Sequence, residues 1–227
     1  CIIPLLSVYS ILGKYEKNVY TWDYVMEQQC KAKWDSAHFG DSNPYEELPK
    51  MNIFVYDLGK LLGNRYVELE DKAFNFHEFF RTWTGDIRRD FKPIPAGAEV
   101  GDFIHKDDVL SFLNLITKED AESHYPYSTD TYRNLFRHSL WMVPGVKEAR
   151  ALSKMLNEHS IFSMFRIVNV AGDGDEEEGS DTALQKVRDA IRDNEYTITL
   201  SCGKLTTGVT VKEWTTVLML AGSFSTS

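Results

Sequence analysis

From about residue 133 onward, apolar runs and amphipathic stretches alternate at short, regular intervals. Residues 136–143 form an apolar and aromatic run that predicts a buried strand. Pro144 and Gly145 then turn the chain into a helix over 146–159, where Val146, Ala149, Leu152, Met155 and Leu156 recur at helical spacing. Residues 164–170 predict the next strand. The stretch 171–180 reads as a surface loop carrying Asp173, Asp175, Glu176, Glu177 and Glu178, and 181–191 as a helix capped by Asp181. Two further strands, 196–200 and 214–220, flank a loop of small and hydroxylated residues containing Gly203 and Gly208. Strand and helix in alternation, with near-continuous apolar strands, predict an α/β fold: a parallel sheet covered by helices on both faces.

The first 130 residues follow a different pattern and predict a mostly helical annex. Thr21 or Asp23 can cap a helix whose Val25 or Met26, Cys30 and Trp34 follow at helical spacing. Residues 36–49 read as loop, and the β-branched and aromatic run 51–57 as a strand. Phe76, Phe79, Phe80 and Trp83 share one face of a short helix, which favours a core role over a base-stacking platform. Arg88, Arg89 and Lys92 read as a solvated face rather than phosphate contacts. Residues 93–101 are linker-like, and 107–116 predict an amphipathic helix with Asp107 and Asp108 at its favourable N-terminal end. The loop 124–131 is the expected boundary between an annex over 1–130 and an α/β lobe over 131–227.

Composition narrows the function. With 43% hydrophobic and 26% charged residues the chain is an ordinary globular sequence. A formal charge of −9 argues against an autonomous high-affinity nucleic-acid binder, but not against one lobe of a larger nucleic-acid machine. Cys1, Cys30 and Cys202 are too scattered for a disulfide framework or a zinc site, and suggest a reducing, cytoplasmic setting. The apolar stretch 2–12 is short and contains Pro4, so it reads as core, and no run reaches membrane-spanning length. The opening on Cys1 and the end just after a strong strand suggest a piece of a longer polypeptide.

Self-sufficient catalytic motifs are absent. Gly203-Lys204 has Ile198 where a P-loop needs its first glycine and Leu205 where it needs Ser or Thr. No Gly-x-Ser-x-Gly elbow, His-Glu-x-x-His pair, Cys-x-x-Cys or EF-hand loop occurs. His138 reads as a satisfied strand-end histidine, and the acidic run 173–178 has the wrong spacing for a cation. Neither catalytic nor metal-binding residues are expected on this chain. What remains is the 201–210 loop, at the carboxyl end of a parallel strand, where α/β sheets bind ligands. Its backbone N–H groups, hydroxyls and Lys204 suit phosphate oxygens. Three uses stay open: a lobe that meets DNA backbone, a docking or regulatory module, and a domain for a small phosphorylated ligand.

The order of parts resembles the second RecA-like lobe of superfamily-two helicases, especially the motor subunits of type I and type III restriction enzymes and related phage-defence proteins. Arg137 to Ala149 looks like motif IV, and Thr199 to Val211 like motif V in its restriction-type form, with Thr210 where an Asp is usual. Residues 19–56 are similar to the region joining the two lobes. The resemblance implies that Lys204, Thr206, Thr207 and Gly208 contact nucleic-acid backbone, and that Gly208 and Thr210 face the nucleotide cleft. It further implies ATP and Mg2+ in the full-length parent and none on this piece alone. DNA, a first helicase lobe in the same chain and methyltransferase or specificity subunits would be partners, with no membrane. The Walker A, Walker B and motif VI elements that such a motor needs are not in this sequence.

Overall fold

Asp23 starts the first helix, α1 (Tyr24–Ala37), by accepting the Met26 N–H at 2.8 Å, so the expected cap forms. The computed structural model describes residues 23–37, 42–46, 52–62, 64–67, 74–119, 125–172, 180–206 and 208–222. The chain divides into two compact units, Cys1–Tyr56 and Asp57–Ser227. In the first, Asn43 ties a turn to α1: its amide donates to the Lys31 carbonyl and its oxygen accepts the Tyr45 N–H, both at 2.9 Å. The Tyr45 ring meets Trp34 edge-on at 5.7 Å. The strand expected at 51–57 does not form over 52–57, where Ile53, Phe54 and Val55 are exposed, Val55 by 88%. β-Propensity expresses fit to a pleated, half-buried surface, and no described strand pairs with this segment.

The second unit runs α2 (Leu58–Leu62), α3 (Phe76–Phe79), α4 (Ile87–Asp90), α5 (Lys106–Thr117), α6 (Asp130–Leu135), β1 (His138–Met142), α7 (Val146–Glu158), β2 (Arg166–Asn169), α8 (Ser180–Asp193), β3 (Thr197–Ser201) and β4 (Thr216–Met219). The four strands form one parallel sheet in the order β2-β3-β1-β4. The α/β class read from the alternation is what the structure has. The acidic loop 173–178 lies outside the described residues.

Alternation along the strands builds two cores. One face presents Trp141, Ile198, Leu200 and Leu218 to Leu152 and Leu156 of α7 and to the aromatic annex. Within it, the Tyr127 hydroxyl donates to Ser139 Oγ at 3.0 Å and accepts from Trp141 Nε1 at 2.8 Å. The 125–128 turn is therefore packed into the core that the sheet shares, which extends from Tyr66 to Leu220. Phe79, Phe80 and Trp83 are buried, so their core reading holds. On the other face, Val170, Leu205 and Val211 pack with Ala183 and Val187 of α8. That second cluster fixes the start of the β3–β4 connection.

Candidate phosphate-facing loop at the carboxyl end of the sheet

The parallel sheet brings the ends of β1, β2 and β3 to one edge, and the loop after β3 is folded there by its own short hydrogen bonds. Ser201 Oγ donates to the Lys204 carbonyl at 2.5 Å and accepts the Gly203 N–H at 3.2 Å. The Thr206 hydroxyl donates to the Gly203 carbonyl at 2.8 Å. Leu205 stands at φ 62, in the left-handed region, and is buried in the α8-side core. A bulky residue takes that conformation only when its surroundings over-determine it. Here the buried side chain of Leu205 anchors the loop and leaves Lys204 and Thr206 on either side of it.

Lys204 reaches across to the end of β2. A Cβ on Gly172, which has φ +93, would lie 3.2 Å from Lys204 Nζ and 3.5 Å from its Cε. Gly172 thus supplies both the backbone conformation and the space for the lysine stem. Cys202, half-buried between them, directs its thiol at the Ala171 carbonyl at 3.4 Å. Burial and the nearby Glu148 carboxylate push that thiol up, against its own backbone N–H and Lys204. It is held as a neutral thiol, unsuited to nucleophilic attack.

The third part is the start of α7. Gly145 is the N-cap residue and has no side chain to satisfy the helix N–H groups. Glu148 curls back over it, so that a Cβ on Gly145 would collide with the Glu148 carboxylate. An internal anion therefore covers the positive end of this helix. The Glu148 carboxylate and the Lys204 ammonium both act on Cys202 from this edge. The edge thus brings together a carboxylate, an ammonium and a neutral thiol.

The expected site residues divide. Lys204 reaches this edge through its contact with Gly172. Thr206 is exposed with its hydroxyl donated internally, and Thr207 lies outside the described residues. Gly208 is exposed at φ +72 with open space around it, and Thr210 is exposed further along the connection. Glu148 and Gly172 were not expected as site residues, and Gly145 was expected only as the turn into the helix. Glu at the third helical position is half of a capping box, but Gly145 lacks the N-cap side chain that completes that signature. His138 sits as a strand-end histidine should: it is buried, and its Nδ1 is 3.0 Å from Thr197 Oγ1. Burial and Arg137 hold its imidazole below the ordinary range, with Glu213 opposing.

Among the described residues no group of three or more His, Cys, Asp or Glu side chains could hold a metal ion. No helix among them is long and apolar enough to cross a membrane. No family model matches the chain, and no solved structure matches it. It is similar to a Mycoplasma pneumoniae protein named "Putative type II restriction enzyme and methyltransferase RM.MpnORF110P C-terminus", at 28% identity over 216 residues. That alignment takes in 89% of this chain and 29% of the relative, so the chain spans under a third of the relative's length.

Proposed function

We propose that this chain is an α/β lobe of a restriction–modification protein, the second lobe of an ATP-driven motor, whose β3–β4 loop holds and releases DNA backbone phosphates. The observation that carries the restriction–modification part is the similarity, along nearly the whole chain, to a protein named as a restriction enzyme and methyltransferase; the motor part rests on the motif resemblance alone. The loop geometry supports it: Lys204 over Gly172, exposed Gly208, and backbone that phosphate can approach without base readout. The motif V resemblance of 199–211 gives the loop its place in the motor. ATP and Mg2+ would act between this lobe and a first lobe, with Gly208 and Thr210 facing that cleft. Partners of the parent would be DNA and methyltransferase or specificity subunits.

In this reading Glu148 competes with phosphate for the start of α7, so grip and release follow from which anion is seated there. The test is a pair of variants in the full-length protein, Lys204→Ala and Gly208→Val. Gly208 has φ +72, which a β-branched residue rarely adopts. Both variants are expected to lose DNA-stimulated ATPase activity, Gly208→Val the more completely. Unchanged stimulation in both would leave a docking or regulatory module as the better reading.

A further inference from the structure

Residues 84–91 form a rigid turn that holds an aromatic ring in water. Its base is closed by a short antiparallel ribbon. The Trp83 N–H donates to Asp102 O at 2.9 Å, the Gly101 N–H to Trp83 O at 2.8 Å, and the Ile104 N–H to Arg81 O at 2.8 Å. Inside the turn Asp90 is almost fully buried and accepts the Thr84 hydroxyl and the Gly85 N–H, both at 2.9 Å, and the Thr84 N–H at 3.1 Å. Burial alone would raise this carboxyl. The Thr84 and Gly85 donors and the nearby Arg81 outweigh burial and hold it below the usual carboxylate range.

That framework ends on Phe91 at φ 60, with its N–H on the Ile87 carbonyl at 2.8 Å. Glycine ordinarily takes such a left-handed helix-terminating position. Here a phenylalanine occupies it with its side chain 80% exposed, beside Ile87 at 63%. Neither the backbone strain nor the exposed ring helps this fold. Arg88 and Arg89 are exposed, and no carboxylate among the described residues pairs with either. Lys92 Nζ stands 5.4 Å from the centre of the buried Trp83 ring. Three cations therefore fall within five residues of a chain whose net charge is −9.

The geometry points to this turn as a second nucleic-acid contact: an unpaired base stacks on Phe91 while Arg88 and Arg89 take the flanking phosphates. An exposed ring two and three residues after a pair of exposed arginines suits single strands, whose bases present free faces, better than duplex. The inference rests on nucleic acid being the partner proposed above, and adds a contact on a separate element from the β3–β4 loop.

The test is fluorescence anisotropy of the 227-residue chain with a roughly 15-nucleotide oligothymidylate and with a duplex of equal length, at low salt. Phe91→Gly keeps the left-handed backbone, so its melting temperature should not fall. It is expected to weaken single-strand binding about tenfold or more and to change duplex binding little. Arg88→Gln with Arg89→Gln should lower the salt slope for single strands by about 1.4. Wild-type affinity in Phe91→Gly overturns the inference. If Lys204→Ala then loses binding, the loop reading stands without it. No binding of either DNA by the wild-type chain overturns the inference, and leaves the motor reading to the ATPase test in the full-length protein. Displacement of the oligonucleotide by polyglutamate of equal charge would assign the turn to an acidic polypeptide and also overturn it.

Discussion

The two faces of the sheet are covered by unlike materials. The α7 face lies under a thick layer of rings: Tyr127, Trp141, Phe162 and Phe165 meet one another at centroid distances of 5.1 to 6.0 Å. Its polar atoms, Ser139 Oγ, Tyr127 OH and Trp141 Nε1, satisfy one another. Among the described residues the α8 face carries a smaller, mainly aliphatic cluster around Val187 and Leu205, with Trp214 packed against it. It leaves Val217 and Met219 of the edge strand 54% and 60% exposed, and buries a Thr199 hydroxyl with no partner among the described residues. One face supplies stability. The other is thinner and anchors the loop that carries Lys204, so that loop can rearrange without dissolving the main core.

The sharpest way to break this comparison is Trp141→Ala. Trp141 is fully buried at the centre of the ring layer and donates to Tyr127. Its loss removes a large ring and one of the two partners of a buried hydroxyl, at an expected cost of about 3–5 kcal/mol. Chemical denaturation would measure it. A cost near 1 kcal/mol would mean that the aromatic face is not where stability resides.

A medium effect comes from acid, because each face contains a histidine held neutral. His159, on the aromatic side, accepts the Ile161 N–H at 3.2 Å on Nδ1, so its Nε2–H faces Asn114 Oδ1 at 3.2 Å. Burial lowers its pKa below the ordinary 6.5. His138 is lowered by burial and Arg137, against Glu213. The unfolded chain therefore binds these protons at higher pH than the folded chain does. Stability is expected to fall as pH drops below about 6.5 and to keep falling through the folded values. Melting curves between about pH 7.5 and 5.5 would show it. His159→Gln and His138→Gln should each flatten that slope, and an unaltered slope in both would remove histidine as the cause.

Much of this architecture is legible in the sequence, and the gaps have physical reasons. The period of apolar positions in 146–158 and 180–193 marks both crossover helices, because each buries one stripe against a sheet face. Residues 52–57 have a strand's composition but no paired edge, and pairing is a tertiary fact that composition does not carry. The 201–210 loop could be located because small residues after an apolar strand mark a carboxyl-end loop. Its internal geometry could not be read: nothing about Leu205 signals a left-handed backbone, which the buried pocket around its side chain imposes. Glu148 and Gly172 enter the site only because the sheet order sets β2 and β1 on either side of β3. The exposure of Phe91 has no sequence signature, because it follows from the turn that Thr84 and Gly85 build on the buried Asp90 carboxylate.

The smallest expected effect tests the thin face directly. Thr199 sits in the middle of β3, opposite Leu140 on one side and Val168 on the other, with its hydroxyl buried and unpartnered among the described residues. A buried hydroxyl without a hydrogen bond costs on the order of 1 kcal/mol or more. Valine keeps the β-branched shape that the strand favours and replaces that hydroxyl by a methyl group. Thr199→Val is therefore expected to stabilise by about 1 kcal/mol, a rise of roughly 2–4 °C in melting temperature. Destabilisation of the same size would show that the hydroxyl has a partner in solution, and that the α8 face is as well satisfied as the aromatic one.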